Sequence, residues 1–291
     1  MQHTLKRLAF SLSIITSCLA LGLVPARAAD SPGAGTPVTG EGSVPQLETA
    51  AEQLKHAGSI KQSMRGLVDE ERSAVRSRAV AAYQAVLDFF PGESATCAEA
   101  AFRAGELMRA GGAIDGALAS FTNARQRGGG TVFKARSGLE IGHIHRRGDD
   151  SKAALDAYGG VMEDVNALPG YRDEGRLWAG RVWHDNKGRA QALRLWEQVA
   201  QHGEDPMDRI RAFDYLALDL IEGQDLEGAA GMLERCREAL ASVSEEETRL
   251  GERLRKSLTR MRAVRALQKA VEQREQAARE ALNEEQSSED Q

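Results

Sequence analysis

An all-α solenoid of helical hairpins is the fold this sequence predicts, and three observations carry it. From about Leu47 onward apolar residues recur with a helical period that strand-type alternation never replaces. A small residue followed four places later by a large apolar one occurs five times: Ala79 with Tyr83, Ala117 with Phe121, Ala154 with Tyr158, Ala192 with Trp196, and Ala229 with Leu233. The large residues stand 38, 37, 38 and 37 apart (121−83, 158−121, 196−158, 233−196), the mark of an internal repeat. Sixteen residues before each of the middle three lies a glycine, Gly105, Gly142 or Gly180; Ala217 takes that place in the last unit. Between the two marks falls a further glycine: Gly112, Gly148, Gly188 or Gly223.

The chain opens MQHTLKRLAFSLSIITSCLALGLVPARAAD. Lys6 and Arg7 precede an apolar core from Leu8 to Val24, and Ala26-Arg27-Ala28 offers a small-x-small cleavage site, so residues 1–28 read as a secretory signal peptide. The predicted location is therefore periplasmic or secreted. Ile15-Thr16-Ser17-Cys18 loosely resembles a lipobox, and a lipoprotein anchored at Cys18 is the weaker reading because the residues after it stay apolar. Cleavage removes Lys6, Arg7 and Arg27 and no acid, taking the formal charge from −5 to −8 (−5 − 3). An exported acidic chain argues against nucleic acid as a partner. No other segment is long and apolar enough to span a bilayer, so any membrane contact is peripheral.

Residues 29–46, rich in Gly, Pro, Ser and Thr, read as a flexible linker. Residues 47–243 form the repeat array. Each unit is a hairpin in which the glycine of the first helix lets the second approach closely, and the large residue of the second fills the space beside it. Mid-helix glycine costs about 1 kcal/mol against alanine, which that packing must offset. The second glycine mark is expected to supply a left-handed turn between the helices. Cys97 and Cys236 lie too far apart along such an array to bridge directly, and read as two half-buried thiols.

After the array, Ser244 and Glu247 suggest a capping box, and Leu250, Leu254, Leu258, Met261, Val264, Leu267 and Val271 form a stripe. The prediction for residues 244–282 is one long amphipathic helix, some 57 Å from Glu245 to Leu282 at 1.5 Å per residue. Its first half caps the open end of the array, and its second half, from about Glu272, projects, pairs or frays. The tail at 283–291 is acidic and expected to be disordered.

This arrangement resembles the tetratricopeptide repeat (TPR) superfamily. The residues that carry the resemblance are AAFRAGELMRAGGAIDGALASFTNA at 100–124, LWAGRVWHDNKGRAQALRLWEQVA at 177–200, and AVAAYQAVLDFFP at 79–91 with its closing Pro91. It covers roughly residues 63–240. The period is three to four residues longer than the family's usual 34, and the glycine between the helices shifts by a residue from unit to unit. Longer connections, QRGGGT at 126–131 and VNALPGYRDEG at 165–175, account for the excess. Elongated repeats of this kind are similar to those of bacterial envelope TPR proteins, including the Tol–Pal-associated coordinator, whose usual N-terminal coiled coil is absent here, and outer-membrane assembly lipoproteins.

The resemblance implies a non-catalytic protein that holds a protein or peptide partner in a concave groove lined by the first helices of successive hairpins. With the glycines setting the register, the groove residues of the second full repeat are Arg136, Leu139, His143, Arg146 and Arg147. Those of the third are Glu174, Leu177, Arg181, His184 and Asp185, and the first offers Glu99, Phe102, Glu106 and Arg109. The middle of the groove is thus expected to be basic, rimmed by Leu139 and Leu177, and suited to an acidic peptide, a C-terminal carboxylate or an anionic envelope polymer. The asparagines of the family's carboxylate clamp are missing. The alternative is a solvated face whose arginines pair with acids such as Glu140 and Asp173.

A second basic feature runs along the capping segment, where Arg249, Arg253, Arg255, Lys256, Arg260, Arg262, Arg265 and Lys269 face only Glu252. A basic amphipathic helix can lie on an anionic membrane, but this one needs its apolar stripe to close the array. Oligomerisation through the C-terminal helix is a rival function, which leaves oligomeric state open. No catalytic constellation stands out, and no cofactor or metal is implied. His143 and His145 are two apart and point to opposite sides of a helix, unlike zinc pairs. QRGGGT lacks the Lys-Ser/Thr of a phosphate loop, and RGDD (147–150) and GEDP (203–206) read as helix caps.

Overall fold

The computed structural model describes residues 44–289; the signal peptide, Cys18 and the linker up to residue 43 lie outside the described residues. Twelve helices follow one another in this range, with no strand among the described residues. Five hairpins are built from α1 (Ala50–Gln62) with α2 (Asp69–Phe89), α3 (Ser94–Ala110) with α4 (Ile114–Arg127), α5 (Val132–Arg147) with α6 (Ser151–Met162), α7 (Pro169–Asp185) with α8 (Arg189–His202), and α9 (Pro206–Glu222) with α10 (Leu226–Ser244). Then come α11 (Arg249–Thr259) and α12 (Arg262–Glu289). From α1 to α11 each helix packs on the next, α12 packs on α9 and α10, and α1, α3, α5, α7 and α9 also touch their next-but-one neighbours. The even-numbered helices of the hairpins do not do so to a comparable extent, so the hairpins fan open on that side and the odd helices line the inner, concave face.

The predicted ladder of large residues is the core of this array. Tyr83, Phe121, Tyr158, Trp196 and Leu233 are all buried, each worth about 2–3 kcal/mol of burial. A β-carbon on Gly105, Gly142 or Gly180 would lie 2.8, 2.4 or 2.4 Å from the ring of Phe121, Tyr158 or Trp196, so the glycines exist for close approach.

The turn glycines behave differently from the expectation. Of the four glycines read as turns only Gly112 is left-handed (φ 82°); in the hairpins of the other three that conformation falls on Asp149, Lys187 and Gln224, at φ 59°, 63° and 63°. These four positions stand 37, 38 and 37 apart, each nine residues before its large core residue, so the turn does not shift at all. What moves is the glycine beside it. The same Schellman bond closes each turn: Ala113, Asp150, Gly188 and Asp225 donate their N–H to the carbonyls of Met108, His145, Trp183 and Leu220 at 2.9, 3.0, 2.7 and 2.9 Å. A bond network common to all four turns holds the non-glycine residues in that conformation.

The caps are largely where the motifs put them. Asp150 and Asp205 accept from Ala153 N and Met207 N at 3.0 and 2.7 Å, and Thr131 at the end of QRGGGT accepts from Phe133 N. Both cysteines are free and fully buried rather than half-buried, and burial pushes the Cys236 thiol up to about 12. At the N-terminal boundary, Val44 packs on the core, and the buried Gln53 side chain donates to Pro45 O and accepts from Leu47 N. The linker expected to run to residue 46 therefore gives way to docked chain by residue 44.

The C-terminal segment corrects three expectations. Ser244 does not open a capping box: it ends α10, its hydroxyl donating to Ala241 O, and Thr248 caps α11 by accepting from Gly251 N at 3.0 Å. The single long helix is two, broken at Arg260–Met261, because the stripe must turn to reach α9 as well as α10. Asp214 of α9 makes the break favourable: its carboxylate accepts from Ala263 N at 2.8 Å and from Arg262 Nε at 2.9 Å, capping α12. Finally, α12 continues to Glu289, through residues expected to be disordered. Its first turns, with Met261 and Ala263 buried and Val264 and Leu267 against the core, close the array; side chains 271–286 are all exposed. No described helix is long and apolar enough to cross a membrane.

Candidate functional site: the concave face and its basic end

Along the first hairpins the concave face neutralises itself. Lys61 of α1 and Arg103 of α3 meet Glu106 at 3.7 and 3.2 Å, and Arg103 also meets Glu99 at 3.3 Å. Arg136 of α5 reaches the same Glu106 at 3.8 Å and lies over the Phe102 ring, its guanidinium carbon 4.3 Å from the centroid. Arg109 meets Glu140 at 3.2 Å, and burial raises the Glu140 carboxyl although Arg109 opposes the shift. Pairs across neighbouring helices in this setting fix the helix register more than they attract a ligand.

The expected centre of the groove, between α5 and α7, is only partly as read from the sequence. Leu139 and Leu177 are 4% and 3% exposed and belong to the core rather than to a rim, because the helix face that packs on the neighbouring hairpin takes them in. His143 is not a cation: it shares a 2.7 Å hydrogen bond with Tyr158 Oη, and burial, with Arg147, Arg146 and Arg109 nearby, pushes it down to about 4. Arg146 lies over the indole of Trp178, 4.7 Å from the ring centroid. Arg181 is held by Asp185 at 3.0 Å. His184 faces Asp219 at 3.4 Å, which in turn takes a two-pronged contact from Arg189 at 2.8 and 2.6 Å. Arg147 is exposed and makes no ion pair within 4 Å among the described residues. Of the fourteen groove residues named from the sequence, then, Arg147 alone remains an exposed cation without such a partner among the described residues. The predicted pairing of Glu140 holds with Arg109, and Asp173 pairs with Arg176 at 2.7 Å.

Unpaired positive charge gathers instead at the C-terminal end of the same face. A cavity of about 520 Å³ is lined by Ile210, Arg211 and Asp214 of α9, by Arg249, Glu252, Arg253, Lys256, Ser257 and Arg260 around α11, and by Met261 and Arg262. Six cations stand against two carboxylates. Arg211, Lys256 and Arg262 have partners in Asp208, Glu252 and Asp214. Arg249, Arg253 and Arg260 are exposed and make no ion pair among the described residues. Burial pushes the Asp208 carboxyl up to about 6, while Arg211 opposes the shift.

A second hollow of about 390 Å³ adjoins it, sharing Arg211, Asp214 and Arg262 and adding Glu174, Leu177, Trp178 and Tyr215. Its floor is aromatic. Tyr215 stacks on Trp196 with centroids 4.9 Å apart, and Arg262 lies over Tyr215 at 5.2 Å. The two hollows make a groove with an aromatic half and a guanidinium-rich half. That arrangement suits a partner segment carrying carboxylates, with room for an apolar side chain on the aromatic half.

The cavity-lining residues missed from the sequence are those of α9. Arg211, Asp214 and Tyr215 stand 37 residues after Glu174, Leu177 and Trp178, so the repeat carries the groove register straight into the last hairpin. Ala217, already read in the glycine position, carried the register into that hairpin, so extending it by one repeat would have found them. The capping cations were visible as a run, but only the break at Arg260–Met261 turns them toward the groove.

No family model matches this chain, and no curated relative does. Among solved structures it is similar to the MamA protein (18% identity, 69% of this chain and 98% of that one, TM-score 0.48). It is similar also to BtubC (BKLC) from P. vanneervenii (14%, 69% and 95%, TM-score 0.45). A third is a Podosopora anserina putative kinesin light chain with nearly identical TPR-like repeats (15%, 69% and 100%, TM-score 0.48).

Proposed function

We propose that this protein is a non-catalytic binding scaffold of the bacterial cell envelope, which holds an acidic segment of a protein partner at the C-terminal end of its concave face. One observation carries the reading. Arg249, Arg253 and Arg260 are exposed, without ion-pair partners among the described residues, around a cavity of about 520 Å³ that opens onto an aromatic floor. Guanidinium groups arranged in this way capture carboxylates in pairs of hydrogen bonds, and the aromatic half takes an apolar neighbour. The strongly shifted groups, His143 with its hydrogen-bonded partner Tyr158, Asp208 and Cys236, owe their shifts first to burial in the packing of the hairpins, which supports binding rather than chemistry. Export to the envelope rests on the charged start, apolar core and Ala26-Arg27-Ala28 of the leader.

The test is capture of partners from envelope extract by the protein, by a triple variant Arg249→Glu/Arg253→Glu/Arg260→Glu, and by Arg146→Glu/Arg147→Glu/Arg181→Glu. All three must melt alike. Loss of a partner in the first variant and its retention in the second is the expected result. Retention in the first variant overturns the reading.

A further inference from the structure

The chain carries its own candidate for that groove. From residue 271 to 286 every side chain of α12 is exposed, so half of a 28-residue helix stands clear of the body that orders its start. Charge along it is strongly polarised. The segment 249–269 sets eight cations against Glu252, whereas 271–289 sets six glutamates against Arg274 and Arg279. Carboxylates one turn apart on an exposed helix face, such as Glu280 and Glu284, complement the guanidinium half of the groove.

The tip of α12 cannot reach the groove of its own molecule. The helix starts at the groove's edge with Arg262, and at 1.5 Å per residue Glu284 stands about 33 Å away along a continuous helix. A second copy brings a tip without bending anything. Resting on the reading that the groove is a binding surface, we propose that its occupant is the acidic end of α12 from a second copy of this chain. Glu280 and Glu284, one turn apart on the same face of that helix, meet the arginines around α11. Reciprocal exchange lays the two α12 helices antiparallel and closes a dimer. The groove is then occupied by self-association and opens to other partners when the dimer parts.

Mass in solution, by light scattering and sedimentation at low salt, tests this. The protein is expected at twice the monomer mass, falling to the monomer near about 0.5 M salt, where screening is short-ranged. Glu280→Lys/Glu284→Lys and Arg249→Glu/Arg253→Glu are each expected to be monomeric, and all four changes on one chain to restore the dimer. A monomeric parent protein, a dimer unmoved by either pair, or a four-fold variant that stays monomeric overturns the proposal. Failure here is separable from failure of the groove as a site. Glu280→Lys/Glu284→Lys keeps the groove intact, so it must still capture envelope partners if the scaffold reading is right, whatever its own mass.

Discussion

Gly180 and Trp196 stand sixteen residues apart on facing helices, and a β-carbon on the glycine would lie 2.4 Å from the indole Nε1. The same indole nitrogen donates to Leu177 O at 3.2 Å, so the ring cannot retreat without giving up that bond. Gly180→Ala is therefore expected to destabilise the protein by about 2–4 kcal/mol through overpacking. Gly231, inside α10 with open space around its Cα, supplies the contrast: Gly231→Ala should stabilise by about 0.5–1 kcal/mol. Urea midpoints of both variants decide it, and an unaffected Gly180→Ala would show that the ring has room.

The left-handed turns make a second prediction. Lys187 and Gln224 hold φ 63° at positions where Gly112 does the same work without a side chain. Lys187→Gly and Gln224→Gly should each gain up to about 1 kcal/mol, and Gly112→Ala should lose a similar amount. Thermal melts of the three variants that failed to move in opposite directions would remove the account of a constant turn.

Asp214 ties the end of the array to α12. Its two oxygens hold Arg262 and the Ala263 amide at 2.9 and 2.8 Å, and its side chain is buried. Asp214→Ala should cost about 2 kcal/mol, the sum of a lost cap and an unpaired guanidinium contact. Hydrogen exchange should speed up most at residues 261–270 and little in α3 to α6. Uniform acceleration through the chain would contradict a local role.

His143 gives the fold a pH dependence. Burial, and then Arg147, Arg146 and Arg109, lower its ionisation from 6.5 to about 4. The unfolded chain thus takes up the proton first as pH falls. The stabilisation is complete above about pH 6.5 and is lost as pH drops through that value toward 4. After allowance for partial exposure it is worth about 2 kcal/mol. Comparing unfolding at pH 7 and pH 4.5, His143→Gln should lose less stability than the parent protein. Equal losses would place the acid sensitivity elsewhere.

Much of this architecture was legible because its cause is local and periodic. The sixteen-residue offset between Gly105, Gly142 or Gly180 and its aromatic partner is a contact between adjacent helices, and a contact repeated at fixed spacing shows in a linear text. The turns were half legible. Glycine advertises a left-handed residue, but Asp149, Lys187 and Gln224 adopt it under the pull of the Schellman bonds, which no residue type announces.

By itself, then, the sequence determined the helical class, the number of hairpins, their register and the pairing of glycine with aromatic, since each follows from side-chain volume and period. Only the tertiary structure decided where charge is free. Arg136, Arg146 and Arg181 looked available in the text, yet each finds a ring or carboxylate on its own or a neighbouring helix. Arg249, Arg253 and Arg260 line one cavity with α9 because Asp214, 46 residues before Arg260, caps α12 and turns the chain at Met261. Whether a cation is spent or available depends on what lies across the gap from it, and that is set by packing between distant residues, not by spacing along the chain.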